Sequence, residues 1–205
     1  MAVDLRAVEG KPRADVNVIQ GNSKELSHLL PEASKRVTAV ITSPPYPNRF
    51  SYARETRPHL FFFNFIDNAA AVGQLETDAI GGTWGKATSI LSAGVYPKND
   101  FVGKLLKSHL DAIPSNGGLM ASYVVKYFND LYDHAEQINK VCAMKCRLAY
   151  VIGNSKFFDN PLPSDRLLAA VFEHFGFALD KIELMRKRQS KSGLHEAVVF
   201  LNRGL

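Results

Sequence analysis

No run of eighteen apolar residues occurs in this chain of 205, so the sequence holds no segment long enough to cross a bilayer as a helix. Met1-Ala2-Val3-Asp4-Leu5-Arg6 lacks the apolar core and small-residue cleavage site of a secretory leader, which argues for a cytoplasmic protein. Cysteine is scarce, with only Cys142 and Cys146. They are four apart in a stretch that reads as helix, with no second Cys or His pair nearby, so they read as reduced packing thiols and not as a metal site. None of the six histidines stands at metal-ligand spacing from another, and no nucleophile-base-orienter triad can be assembled. Acidic residues are the minority, 20 against 25 basic, giving a net charge of +5 that suits a polyanionic partner without proving one.

What is present is enough apolar content, 46%, for a sizeable core in one domain covering residues 1–205. Hydrophobic periodicity predicts strands at 16–20, 37–42, 118–125, 147–153, 181–186 and 197–202, and helices at 24–30, 101–113, 130–144 and 164–175. That alternation predicts an α/β fold: a largely parallel sheet with helices on its faces. Ser164-Asp165 and Gly176 supply start and stop signals for the last helix, and Asn116-Gly117-Gly118 supplies a turn. Residues 50–100 break the pattern. This segment holds Phe61-Phe62-Phe63, Phe65, the single tryptophan Trp84 and Gly81-Gly82-Thr83-Trp84-Gly85, and it reads as an insertion beside the active site. The phenylalanines are expected in the core, whereas Trp84 between glycines is equally suited to a ligand.

The most informative feature closes the strand at 37–42. In Thr42-Ser43-Pro44-Pro45-Tyr46 two adjacent prolines end the strand, because proline offers no ladder N–H and holds its predecessor extended. The carboxyl edge of an open α/β sheet is where ligands bind. Here that edge presents a hydroxyl, fixed carbonyls and an aromatic face, groups suited to a flat base bearing an amine.

This sequence resembles motif IV of the AdoMet-dependent amino-methyltransferases, which methylate exocyclic amines of DNA bases through (Ser/Asp/Asn)-Pro-Pro-(Tyr/Phe). Val16-Asn17-Val18-Ile19-Gln20-Gly21-Asn22-Ser23 looks like that family's motif III strand and turn. Tyr150-Val151-Ile152-Gly153-Asn154-Ser155, His174-Phe175-Gly176-Phe177 and Leu194-His195-Glu196-Ala197-Val198-Val199-Phe200 look like the C-terminal half of its catalytic domain, so the likeness spans most of 14–202. It implies a Rossmann-like methyltransferase sheet ending in an antiparallel pair. It further implies that Ser43 and the Pro44 carbonyl accept the two amine hydrogens, with Pro45 shaping the turn and Tyr46 stacking on a flipped base. S-adenosyl-L-methionine would sit near Gly21, Asn22 and Thr42. Asn22 replaces the acid usual at that position. Ser43 in place of an acid leans toward N4 of cytosine over N6 of adenine.

The resemblance also exposes a gap. The family's glycine-rich Phe-x-Gly-x-Gly turn and its ribose-binding acid are not recognisable, and the residues before position 16 are too few for two strands and a helix. Gly81-Gly82-Thr83-Trp84-Gly85 is no substitute, because no apolar strand feeds it. One half of a split enzyme, a piece of a longer chain and a degenerate relative all remain open. The split enzyme is favoured because the pocket motif is intact, and it predicts a second subunit carrying the glycine-rich loop, or a homodimer, covering the exposed sheet edge.

The remaining candidates concern nucleic acid. Asn48 and Arg49 either hold a flipped nucleotide's phosphate or cap the turn and pair with an acid such as Asp78. Lys181, Arg186, Lys187, Arg188 and Lys191 form either a phosphate-contacting hairpin or a solvated one. Asn154 and Ser155 end a strand at the same edge. Glu196 is as suited to neutralising Arg186 or Lys187 as to acting on substrate. The expectation is therefore a DNA methyltransferase subunit in a restriction-modification or host-protection system. The alternatives are an RNA base methyltransferase and a non-catalytic nucleic-acid-binding subunit.

Overall fold

The computed structural model describes residues 15–188 and 192–204. A 3₁₀ turn (Ser23–Glu25) and a one-turn helix α1 (Leu26–Leu29) lead into β1 (Val37–Thr42). Short helices α2 (Tyr52–Glu55), α3 (Arg57–Phe62), α4 (Ala69–Asp78) and α5 (Lys86–Ser92) follow. Then come α6 (Asp100–Asp111), the long α7 (Gly118–Val141) and β2 (Cys142–Gly153). A small hairpin of β3 (Ser155–Phe157) and β4 (Asn160–Leu162) precedes α8 (Ser164–His174), and β5 (Ala178–Lys187) and β6 (His195–Arg203) close the described chain.

The main sheet has the order β1-β2-β6-β5. β1 runs parallel to β2, while β6 lies antiparallel to both β2 and β5. The expected α/β fold is therefore present, and its sheet is Rossmann-like at the β1–β2 crossover and ends in the antiparallel pair that the resemblance implies. It is not largely parallel, since one of its three pairings is. Among the described residues, helices do not cover both faces. Cys146, Leu148, Tyr150 and Ile152 of β2, with Ala197, Val199 and Leu201 of β6, point into the buried core. On the opposite face Ile41 is 84% exposed, in register with Ala149, itself opposite the half-buried Phe200.

Three local predictions differ. Residues 15–20 form no strand and are exposed. The predicted strand at 118–125 is the first third of α7, because Val124, Phe128, Leu131, Ala135 and Ile138 recur at helical spacing and are all buried. The Val124-Val125 pair and the glycines before it favour strand locally, and burial of that stripe overrides them. The predicted helix at 130–144 stops at Val141, where β2 begins. Cys142 and Cys146 thus lie in a strand. An irregularity places several β2 residues opposite Thr38 and brings the two free thiols to 3.1 Å, both buried.

The phenylalanines of the insertion, expected in the core, lie outside it. Phe61, Phe62, Phe63 and Phe65 are all exposed, Phe62 at 80%. Helix α3 is too short to carry an apolar stripe of two turns, so its aromatics pack on one another edge to face, with Phe62 and Phe63 ring centroids 5.0 Å apart. The insertion is tied to the core through Asp130 on α7, whose carboxylate accepts from Lys126 Nζ (2.6 Å), Lys24 Nζ (3.0 Å) and Gly81 N (3.1 Å).

Candidate active edge

At the carboxyl ends of the parallel pair, Thr42 stands opposite Tyr150, and the chain leaves the sheet through Ser43, Pro44, Pro45, Tyr46 and Pro47. Two tyrosines one helical turn apart on α7 fix this segment. The Tyr127 hydroxyl donates to the Pro45 carbonyl at 2.7 Å, and the Tyr123 hydroxyl accepts from Arg49 N at 3.0 Å. Burial pushes the Tyr123 phenol up to about 12 and Tyr127 well above its ordinary range, so both stay protonated at neutral pH. With those bonds made, Ser43 is exposed, and neither its hydroxyl nor the Pro44 carbonyl has a hydrogen-bond partner among the described residues.

Tyr46 lies on the end of β2. A Cβ added at Gly153 would fall 2.8 Å from Tyr46 Cδ2 and 3.3 Å from Arg188 Nη1, so the absence of a side chain there lets the ring and the guanidinium approach the strand. Arg188 Nη2 donates to the Asn154 carbonyl (3.1 Å), and its buried Nε has no partner among the described residues. Asn154 is committed to the same corner. Its Oδ1 accepts from His195 N (2.8 Å), and its Nδ2 donates to the Gly193 carbonyl (3.0 Å). Ser155 Oγ is buried without a partner among the described residues.

The other nucleic-acid candidates are dispersed. Asn48 makes a local turn, its Oδ1 accepting from Phe50 N at 3.0 Å. Arg49 adopts a left-handed backbone (φ 61°) and makes no ion pair with Asp78, whose Oδ1 accepts from Gln74. Arg186 is held by Glu196 through two bonds, of 2.7 and 3.1 Å, and the guanidinium draws the Glu196 carboxyl below its usual range. Arg188 turns inward as described. Lys187 is exposed and without an ion pair among the described residues. Lys191 lies outside the described residues.

Gly21 and Asn22 lie across a cavity of about 460 Å³ from Pro45, with Leu75, Asp78 and Ile80 of the insertion completing its walls. Asn22 Oδ1 caps the following turn by accepting from Lys24 N, which leaves its amide hydrogens for a ligand. Apolar walls with a few polar groups suit the adenosyl end of a nucleoside cofactor. Thr42 is not among the residues that line this cavity and pairs with Tyr150 in the sheet. The glycines at 81, 82 and 85 build no phosphate cradle. The buried carboxylate of Glu76 grips this loop instead, accepting from Thr83 N (2.9 Å), Trp84 N (3.2 Å) and Ser51 Oγ (2.6 Å).

Sequence reasoning missed the supports: Tyr123, Tyr127, Gly153, Asp130 and Glu76. The first two were hidden by the strand reading of 118–125, although Tyr123, Tyr127, Asp130, His134 and Gln137 keep helical spacing along one side of α7. Among the described residues no acidic, His or Cys cluster suits a metal ion, and no helix is long and apolar enough to cross a membrane.

No protein-family model matches the chain, and no curated protein sequence matches it. Two crystal structures of a candidate DNA modification methylase from Thermus thermophilus superpose on 89% of the chain, with TM-scores of 0.42 and 0.45 and sequence identities of 12% and 13%. The chain spans about half the length of those structures, 50% and 51%.

Proposed function

We propose that this chain is the base-binding part of an AdoMet-dependent DNA amino-methyltransferase acting on N4 of cytosine. The observation that carries this reading is the unpartnered pair of acceptors, Ser43 Oγ and the Pro44 carbonyl, beside the Tyr46 ring at the carboxyl edge of β1 and β2. An exocyclic amine conjugated to its ring is a weak nucleophile. Two acceptors that take both its hydrogens raise electron density on nitrogen and fix the direction of its lone pair, a gain from positioning and local electrostatics. Tyr46, backed by Gly153, offers a face for the extruded base. Stacking worth about 1 to 3 kcal/mol offsets much of the few kcal/mol that extrusion costs.

S-adenosyl-L-methionine would be held by Asn22 and the walls around Pro45 and Ile80, and it supplies an electrophilic methyl group when bound. The chain's own residues orient the amine and shield it. After transfer, one amine proton must leave, and the Ser43 hydroxyl passes it toward water at the exposed rim.

A partner bearing the glycine-rich turn completes the enzyme in this reading, as a second subunit or a second copy. The exposed Ile41 on an edge strand, and a sheet face without helices among the described residues, support it, because parallel strands are ordinarily covered on both faces. The test is transfer of labelled methyl groups from AdoMet to matched DNA and RNA, using the protein purified with whatever co-purifies from its source. N4-methylcytosine in DNA that disappears in Ser43→Ala supports the reading. Labelling of RNA alone, or of neither by a preparation that binds DNA, overturns it.

A further inference from the structure

We propose that helices α2 and α3, together with the Trp84 loop, form a second nucleic-acid site that takes an unpaired nucleotide of DNA next to the extruded base. The proposal rests on the methyltransferase reading for the identity of the nucleic acid but concerns other residues. Here cations and aromatic rings alternate on one surface. The Arg54 guanidinium lies 4.8 Å from the Trp84 ring centroid, and that of Arg57 lies 5.8 Å from Phe61. Trp84 is 41% exposed despite being the only tryptophan in the chain.

Beside them lies a cavity of about 310 Å³ whose lining includes Arg54, Arg57, Val72, Glu76 and Trp84. Its floor carries a carboxylate, which would repel phosphate if it were free. Both Glu76 oxygens are occupied by Ser51 Oγ and the two backbone N–H groups of the Trp84 loop, so this acid builds the loop that presents the indole. The two arginines form no ion pair with any acid among the described residues. Unpaired guanidiniums interleaved with exposed rings are what a single strand requires, one group for the phosphate and the other for the base face. Four exposed phenylalanines of α3 and its C-terminal turn extend the same surface, which packing within the chain does not explain.

Position ties this surface to the active edge. Ser51, which anchors Glu76, starts α2 eight residues after Ser43. Helix α4 lines the cavity beside Trp84 through Gly73 and Glu76 and the cavity beside Pro45 through Leu75 and Asp78, so the two sites share one helix.

The lone tryptophan makes a direct test, because its emission reports this site alone. A short single-stranded thymidylate oligonucleotide is titrated into the protein, following Trp84 emission and, with a labelled copy, anisotropy. The proposal expects saturable quenching on the same isotherm as the anisotropy. Arg54→Ala and Arg57→Ala should each weaken binding about fivefold or more with thermal stability unchanged, since both side chains are exposed. An anisotropy change without quenching overturns this inference and leaves the methyltransferase reading standing. Quenching in a preparation that retains whatever co-purifies from its source, yet transfers no methyl group, does the reverse. Quenching by uridylate but not thymidylate would assign the surface to RNA and overturn the DNA proposal.

Discussion

Tyr46 and Gly153 meet across the carboxyl edge of the parallel pair so closely that a methyl group on Gly153 would fall 2.8 Å from the Tyr46 ring. The Cδ2–Cε2 side of the ring thereby lies against strand β2, and the half-buried Tyr46 packs on the edge of the core. A base platform needs that geometry, and one atom at position 153 abolishes it.

Gly153→Ala is therefore expected to remove DNA methylation while costing only about 1 to 3 kcal/mol of stability, the usual range for forcing one extra methyl into a packed site. Paired thermal melts and methyl-transfer assays separate the two effects. Full activity in Gly153→Ala would mean that Tyr46 does not carry the base.

Tyr127→Phe removes the donor to the Pro45 carbonyl and leaves that acceptor unpaired inside the turn. The expected loss is about 1 kcal/mol, a fall in Tm of roughly 2 to 4 °C for a domain of this size. Methyl transfer should fall more steeply than stability because the Pro44 carbonyl loses its fixed direction. A melt unchanged from wild type would show that the bond contributes nothing.

Tyr127 also shows what could be read in advance. Strand β1 and the turn after it were legible to the residue, because a short apolar run closed by paired prolines is a local signal. The α7 tyrosines were not, since Asn116-Gly117-Gly118 and the β-branched Val124-Val125 imitate a turn and strand. Only the longer stripe from Tyr123 to Ile138 reveals the helix, and it requires a window that crosses the misread boundary. The phenylalanines at 61–65 misled in the opposite direction. Their composition predicts burial, yet a helix as short as α3 has no second turn with which to face a core. The basic cluster at 186–188 looked like one patch because charge was counted along the chain, while strand pleating sends Arg186 to Glu196, Arg188 to Gly153 and Lys187 to solvent.

That dispersal gives a salt-dependence prediction. Lys187→Ala should reduce the slope of log affinity for DNA against log salt by about 1, as loss of one phosphate contact does. Arg186→Ala should change the slope less and the stability more, because its guanidinium is already bound to Glu196. Equal slope changes in the two variants would contradict this division.

His134 gives a pH prediction. It is buried on α7 with Nε2 2.8 Å from the Tyr150 hydroxyl, and burial lowers its pKa to about 4. The unfolded chain takes up this proton near pH 6.5 and the folded chain only near 4, so its contribution to stability is full above 6.5 and declines as pH falls toward 4. The whole decline amounts to about 3 kcal/mol. Denaturation midpoints at about pH 7 and about pH 4.5 should differ more in wild type than in His134→Gln. The same difference in both would assign the acid sensitivity to other groups.

The most direct test of the central claim keeps any partner in place. The codon for Ser43 is changed to alanine at its native locus, and the modified nucleosides of genomic DNA are measured by mass spectrometry. The account predicts loss of N4-methylcytosine with the protein still folded and abundant. Unchanged levels of every methylated base would contradict it.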